Sequence, residues 1–357
     1  YEIADRDWSS DVCSSDLGIP RELGAPPAYG GTQNCRSRRE TRQFYVCSRK
    51  VKRYMATPNV GVFLPTMSPI GDLPPDVVAA ARHAEDLGFE SVWVIDQLVA
   101  GSKMAFHEST TVLAAVAAAT ERVKLGFGIM VLPLRPVAWV AKQVSTLQHL
   151  SGDRVVLGVG IGEDRHPGSW GAVGVSRRQR GRLTDAALQK LPDLIAGRPV
   201  AGEDGVEYRL LPGAIVPPIL VGGISEAALG RAVDAGGWFG LPLPPAEIAK
   251  VGDALGALAA GKGRPAPAIT GFVMATIAGD PTMPDRAAAV QAVADPDGMY
   301  GFPPEVAEAM VMTGTPAEIA SELAALGEAG VERVTVTLVG DWSRQVELLA
   351  KAVALLN

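Results

Sequence analysis

From Met55 onward the chain repeats one unit: a short apolar run, a turn, then a longer segment with helical spacing. Length separates the two, since buried strands run roughly four to eight residues and helices ten or more. The apolar runs fall at 60–64, 91–95, 123–131, 155–159, 219–221, near 238–241, 269–277 and 333–339. A helical segment follows each, including 74–87, about 110–120, 136–150, about 180–195, one running through about Ala260 and a terminal one ending near 349–356. The punctuation agrees. Pro74 stands near the start of the first helix and Gly88 just past its end. Ser225 caps the helix after Gly222-Gly223, and Thr315-Pro-Ala-Glu318 is a capping box. Eight strands, each followed by a helix, predict an α/β fold, a (β/α)8 TIM barrel formed by residues 55–357 as a single domain. Ala84 to Val94 and Leu326 to Val336 share a helix, glycine, hydrophobic, acid, strand pattern, which supports the repeating unit. Two stretches interrupt it. Residues 197–218 read as a surface hairpin. Residues 279–312 are the least regular, with a helix expected at 304–312 and a lid as the expected role.

One strand carries the densest signal. Val155 to Val159 runs into Gly158, Gly160 and Gly162, with Glu163 next. Glycine at the carboxyl end of a parallel strand admits either a close-packed neighbour or a ligand. The spacing is G-x-G-x-G, which differs from the G-x-G-x-x-G dinucleotide loop.

Composition narrows the function. The chain has 357 residues, 47% hydrophobic, and a formal net charge of −6, which argues against nucleic acid as the main partner. No apolar run reaches the ~18 residues of a membrane span. No basic-then-apolar segment resembling a secretory signal opens the sequence, so a cytoplasmic location is expected. Cys13, Cys35 and Cys47 all precede Met55, so residues 55–357 contain no thiolate nucleophile and no cysteine ligand.

The first 54 residues follow different rules. Asp7 to Leu17 resembles the conceptual translation of a sequencing adapter, and Gly18 to Tyr54 reads like translated upstream DNA, with neither helical nor strand period. Residues 1–54 hold 10 of the 33 basic and 7 of the 39 acidic side chains, which leaves residues 55–357 with 23 and 32, a net of −9. The expectation is a non-native or disordered tail over 1–54, with the protein proper starting at Met55.

In a barrel the strand ends converge on one rim. That collects Pro65 and Thr66, Asp96 and Gln97, Gly128 to Met130, Gly160 to Glu163, and Gly222 and Gly223. The set is rich in backbone and poor in charge, and it contains no metal constellation. His83 and His149 fall on helices; His107 and His166 fall in rim loops. Gly222-Gly223 before a capped helix offers an anion site or a tight turn. Arg135 and Arg180 are available to phosphate or to carboxylates. Such a rim suits a large flat cofactor held by backbone and apolar contacts, with the cofactor supplying the chemistry.

Several segments carry a family resemblance: Leu87-Gly-Phe-Glu-Ser-Val-Trp-Val-Ile-Asp96, Ala119-Thr-Glu-Arg-Val-Lys-Leu-Gly126, Ala141-Lys-Gln-Val-Ser-Thr-Leu147, Leu150-Ser-Gly-Asp-Arg154 leading into Gly158-Val-Gly-Ile-Gly162, Pro218-Ile-Leu-Val-Gly-Gly223 and Gly314-Thr-Pro-Ala-Glu318. In this order and spacing, residues 59–356 resemble the bacterial-luciferase-like monooxygenases, which use flavin or the deazaflavin coenzyme F420. The resemblance implies a luciferase-like (β/α)8 barrel with the cofactor ring at the carboxyl rim. It implies a non-proline cis peptide at the end of strand three, here Gly128–Ile129. It implies cofactor contacts from Gly128, Ile129 and Met130 behind the ring, and from Gly160, Ile161, Gly162, Val221, Gly222 and Gly223 around the phosphate or tail. Members often dimerise, so a homodimer is an expectation. Two departures stand out. Where many members have Asp-His, this chain has Asp96-Gln97, and Gln is no general acid or base. The family's Arg-His-Pro entry to helix three is Arg135-Pro136-Val137.

The leading expectation is an oxidoreductase using FMN or coenzyme F420, which passes a hydride to a small organic substrate or oxidises one with O2. Asp96, Gln97 and Glu163 are its candidate catalytic residues, orienting the ring edge or the substrate, and no metal is called for. Two alternatives stay open. One is a barrel that binds flavin without turnover, kept alive by Gln97. The other is an aldolase or isomerase acting on a phosphorylated substrate, which needs a buried lysine at a strand end; Lys124 lies at the opposite end and Lys103 in a loop.

Overall fold

The computed structural model describes residues 57–72, 75–99, 104–162, 168–202, 204–295 and 302–356. The expected tail over 1–54 lies outside them. The eight expected strands form as β1 (Asn59–Phe63), β2 (Ser91–Val94), β3 (Lys124–Val131), β4 (Val155–Gly160), β5 (Ile219–Gly222), β6 (Gly237–Phe239), β7 (Ala268–Ile277) and β8 (Arg333–Leu338). All neighbours run parallel. β1 pairs with β8 and β2, the ladder continues through β3, β4 and β5 to β6, and β6 and β8 both pair with β7, which closes the barrel.

Helices follow the strands as α1 (Val77–Asp86), α2 (Ser109–Ala119), α3 (Val137–Ser151), α4 (Arg180–Ile195), α5 (Glu226–Ala235), α6 (Pro245–Gly261), α7 (Pro316–Glu328) and α8 (Trp342–Ala354). Their starts are fixed by side chains: Asp76 caps α1, Ser225 caps α5, Asp341 caps α8, and Thr315 with Glu318 forms the reciprocal box on α7. α3 ends on Gly152 in the left-handed conformation, φ 65°. Among the described residues no helix is long and apolar enough to cross a membrane.

Strand alternation sorts side chains into two layers. Val60, Val62, Val92, Val94, Leu125, Phe127, Val334 and Val336 pack outward against the helices. Phe63, Trp93, Val156, Leu220 and Phe239, with Phe272, fill the barrel interior. Trp93 fits only because its neighbours are small. A Cβ on Gly126 would sit 2.2 Å from the indole ring, and one on Gly61 2.7 Å from Nε1. Trp93 Nε1 donates to Ser91 Oγ at 2.8 Å, so the buried indole is satisfied.

Polar staples hold the amino-terminal face. Arg154, from the Leu-Ser-Gly-Asp-Arg segment, donates to the carbonyls of Ala117, Thr120, Val123 and Ser151 and to Thr120 Oγ1. It thereby closes the carboxyl end of α2. The Glu85 carboxylate accepts from the backbone N–H groups of Glu121, Arg122 and Val123. Glu90 joins Arg333 on β8 and Lys124 on β3. Lys124 is thus an ion-pair residue at the face opposite the rim, and no lysine appears at the carboxyl end of a strand among the described residues.

The hairpin expected within 197–218 forms from Val200–Ala201 and Glu207–Tyr208. The irregular segment holds more than expected. A helix over Arg286–Ala294 precedes the one at Pro304–Met310, and Val311–Gly314 adds a ninth strand beside β7. These pieces pack on Met274 and Val339 through Ala289, Val293, Ala307 and Val311. The first helix is alanine-rich and lacks a clear 3.6-residue apolar period, so it leaves little trace in sequence. A ladder of Met67–Pro69 with Met104–Phe106 also escapes a periodicity reading, at three residues a side.

Burial opposes the charge on Glu90, but hydrogen bonds and attraction from Arg333, with Lys124, outweigh it and hold its pKa down to about 2. A depressed carboxylate stabilises the fold fully above its ordinary pKa of 4.5 and loses that contribution as pH falls toward about 2. Glu90→Gln should therefore lower the unfolding free energy by roughly 2–3 kcal/mol near pH 7, with the gap closing between pH 4.5 and 2. Urea midpoints that differ equally at pH 7 and pH 3 would refute the linkage.

Candidate active site

The rim is organised by an irregularity in β3. Its ladder with β4 matches Phe127 to Leu157 and then Met130 to Val159, so Gly128 and Ile129 together face the single residue Gly158. This is a β-bulge, the device that re-aims side chains beside active sites. The Gly128–Ile129 peptide is cis, the bond the resemblance singled out. Gly128 has no room for a side chain: a Cβ there would lie 2.5 Å from the Phe63 ring.

The bulge throws the Ile129 side chain across the mouth. A Cβ on Gly158 would come within 2.8 Å of Ile129 Cγ2, one on Gly160 within 2.4 Å of Cδ1, and one on Gly222 within 2.5 Å of the same atom. Three glycines from two strands form a bed for one isoleucine. Of the two readings of the glycine run, close packing is the direct one for Gly158 and Gly160. Gly162 has φ 78°, and a Cβ there would meet Val131 and Trp170. Ile161, between them, is half-buried. Gly223 has φ 108°, and its carbonyl accepts from Trp238 Nε1 at 2.8 Å, just before the α5 cap. Met130 and Val221 turn their side chains into the helix-facing core, so the rim receives only their backbone.

Asp96 lies at the end of β2, 5% exposed. Arg135 grips it with both terminal nitrogens, at 2.7 and 2.6 Å, Ser109 Oγ donates to Oδ1 at 2.8 Å, and the Val131 N–H to Oδ2 at 2.8 Å. Both carboxylate oxygens are occupied by protein donors. Burial opposes the charge on Arg135, yet Asp96 and, more distantly, Glu108 raise its pKa. Gln97 donates to the Val99 carbonyl at 2.7 Å and so shapes the loop after β2. Glu163, the third candidate, lies outside the described residues, as do His166 and Lys103. His83 pairs with Glu347, and His149 meets the Gly213 carbonyl. No group of acids, histidines and cysteines able to hold a metal occurs among the described residues.

The two rim arginines separate. Arg135 is committed to Asp96. Arg180, at the first position of α4, has its Nε buried without a hydrogen-bond partner. Sequence treated the pair alike, because the Asp96 partnership spans 39 residues and only the fold brings it together.

Comparison with known proteins gives the family and agrees with the barrel fold. The model of the luciferase-like monooxygenase family matches residues 55–302, and the chain belongs to that family. An uncharacterized protein of Mycobacterium tuberculosis is 37% identical over 139 residues, 38% of this chain and 48% of that protein. The chain thus matches about half the length of this relative. Among solved structures, an F420-dependent secondary alcohol dehydrogenase bound to an F420-acetone adduct superposes with TM-score 0.67 at 19% identity, covering 85% of this chain and all of that one. The FMN complex of a type II Baeyer-Villiger monooxygenase from Pseudomonas putida gives TM-score 0.64 at 16% identity, covering 84% and 98%. These two likenesses establish the shared barrel fold. Relatives of this chain use F420 or FMN.

Removing one partner of a buried ion pair strands the other. Asp96→Ala and Arg135→Ala should each cost about 3–5 kcal/mol, and the double variant clearly less than their sum. Chemical denaturation of the four proteins measures the coupling; strictly additive losses would show that the pair does not tie the rim.

Proposed function

We propose that this protein is an oxidoreductase that holds a flavin or deazaflavin ring at the carboxyl rim of the barrel and exchanges two electrons with a small organic substrate. The observation that carries the reading is the β3 bulge, which spreads Ile129 over a glycine bed spanning β4 and β5. It makes a smooth apolar platform with little side-chain relief, suited to a flat ring. Gly223 and the start of α5 present backbone N–H groups, and Arg180 keeps its Nε buried without a hydrogen-bond partner, which together suit an anionic tail. The residues present therefore fit the cofactor class.

When bound, that cofactor supplies the hydride, or in its reduced flavin form the electrons for O2. The chain's own part is positioning. Ile129 backs the ring. Asp96, through Arg135 and the Val131 N–H, holds the exit of β3 and the entry of α3 in register with the bulge. The interior aromatics Phe63, Phe239 and Phe272 form a dry floor, which strengthens electrostatic contacts above it. Gln97 provides no proton near neutral pH. Proton movement then falls to the substrate, the cofactor, solvent or a residue outside those described.

One observation favours a second reading, a barrel that holds the cofactor without turnover. Asp96 has no free oxygen, and Gln97 replaces the titratable residue common at that position.

Purified protein should bind FMN or F420 at micromolar or tighter levels, and Ile129→Gly should weaken the ring by about tenfold, roughly 1.4 kcal/mol, with a cooperative unfolding transition retained. Equilibrium titration reads both values. Absence of binding by either cofactor would sink the proposal, and binding without redox change across a broad substrate panel would leave the silent barrel.

A further inference from the structure

The loops of the rim expose apolar side chains and hold them in place. Leu98, in the loop after β2, is 50% exposed. Its surroundings are pinned: Gln97 donates to the Val99 carbonyl at 2.7 Å, and the Val99 N–H donates at 3.2 Å to Ser169 Oγ, on the short helix Gly168–Ala172. Ile70, 62% exposed, follows the ladder of Met67–Pro69 with Met104–Phe106 that joins the loops after β1 and β2. Leu241, also exposed, follows β6 across the barrel from β2. Exposed apolar side chains scattered singly need no explanation, but these three stand on loops of one face, the face that carries Ile129.

The buried acids of that face are spent inside the protein. Both oxygens of Asp96 are occupied. Asp280, buried just past β7, accepts from the Thr282 N–H at 2.9 Å and its hydroxyl at 2.7 Å, from the Asp341 N–H at 3.0 Å and from Gln345 Nε2 at 3.2 Å. On the β1 and β8 side the unpaired groups are neutral. Thr66, 1% exposed, and Thr337 have buried hydroxyls without a hydrogen-bond partner. Thr66 lies just past β1, and its carbonyl accepts from the His107 N–H at 2.9 Å, at the root of the ladder that leads to Ile70. Thr337 lies at the end of β8, the neighbour of β1; Val334 and Val336 face the helices, so Thr337 faces the interior. A buried hydroxyl without a partner is costly. One rotamer step re-aims a threonine hydroxyl, so at the edge of the mouth it can meet a ligand oxygen.

We infer that the substrate is an uncharged, largely apolar molecule carrying a hydroxyl or carbonyl oxygen, received by Ile70, Leu98 and Leu241 with its oxygen toward Thr66 and Thr337. A hydroxyl both donates and accepts, so the same threonines suit an alcohol and the carbonyl compound two electrons away. A carboxylate or phosphate would leave water for apolar side chains and hydroxyls, which do not compensate its charge. This inference rests on the proposed oxidoreductase reading and names the substrate class of that same site.

The test is saturation-transfer NMR titration of the full chain, in the presence of whichever of FMN and F420 it binds, with cyclohexanone, cyclohexanol, cyclohexane, cyclohexanecarboxylate, acetone and a hexose phosphate. Cyclohexanone and cyclohexanol should bind within about threefold of each other and at least about tenfold more tightly than the carboxylate or the hexose phosphate. Thr66→Val should weaken the ketone and the alcohol by about fivefold and leave cyclohexane unchanged, while Thr66→Ser, which keeps the hydroxyl, holds the original affinity. Thr337→Val serves the same purpose if Thr66→Val does not fold. The exposed substitution Leu98→Ser should weaken the six-membered rings by about threefold and acetone less. Equal or tighter binding of the carboxylate or the hexose phosphate, or a ketone affinity indifferent to loss of the threonine hydroxyl, would overturn the inference while the bound cofactor left the oxidoreductase reading intact. Failure to bind either cofactor would remove both.

Discussion

A single buried carboxylate organises the rim of this barrel. Asp96 accepts from Ser109 at the start of α2, from the backbone of Val131 at the end of β3, and from both arms of Arg135 at the entry to α3. These groups belong to three separate segments that must be held together where β3 leaves the sheet. A bulge is a local loss of ladder bonds, and such an irregular stretch persists only where its surroundings over-determine it. Asp96 supplies that determination two residues past Ile129. Both partners are mostly shielded from water, so losing either would strand the other, and the bidentate geometry makes the contact directional.

The glycines acquire their meaning from this anchoring. With Ile129 aimed by the bulge, any side chain at Gly158, Gly160 or Gly222 would collide with it. Their role is negative space. A ring lying on such a surface, as proposed, would meet one branched aliphatic side chain and strand backbone, and so make dispersion contacts over its whole face. The interior below is closed by Phe63, Trp93, Phe239 and Phe272, paired at centroid distances of 5.6–6.4 Å. The barrel interior is therefore a filled support beneath the rim.

The sequence reading and the structure agree where the signal is local and periodic. Strand ends fall within a residue or two of their expected places, and the capping box at Thr315 and the closing helix are found as read. Agreement fails where identity depends on distant partners. Asp96 reads as a free acid beside Gln97, because nothing in its neighbourhood announces Arg135. Arg135 and Arg180 read as equivalent for the same reason. Gly158 and Gly160 are legible as a site of close approach, but what approaches is a side chain from the neighbouring strand, and spacing carries no information about that. The Arg286–Ala294 helix lacks the period that reveals a buried face, and the Val311–Gly314 strand follows a helix with no turn signal between them.

The run from Leu150 to Gly162 shows how a continuous signal divides in three dimensions. Its first half, Leu-Ser-Gly-Asp-Arg, turns the chain out of α3 with Gly152 and Asp153 both at positive φ, and Arg154 closes α2 from below. Its second half reaches the opposite face as the bed for Ile129. A strand of six residues spans the distance between them. The two halves do different work: the lower one is satisfied entirely within the protein, every nitrogen of Arg154 having a carbonyl or hydroxyl acceptor. The upper one is deliberately bare. Arg180 follows the same logic in reverse. Arg154 and Arg135 tie separate segments together through their guanidiniums, whereas Arg180 keeps its Nε buried at the rim without a hydrogen-bond partner.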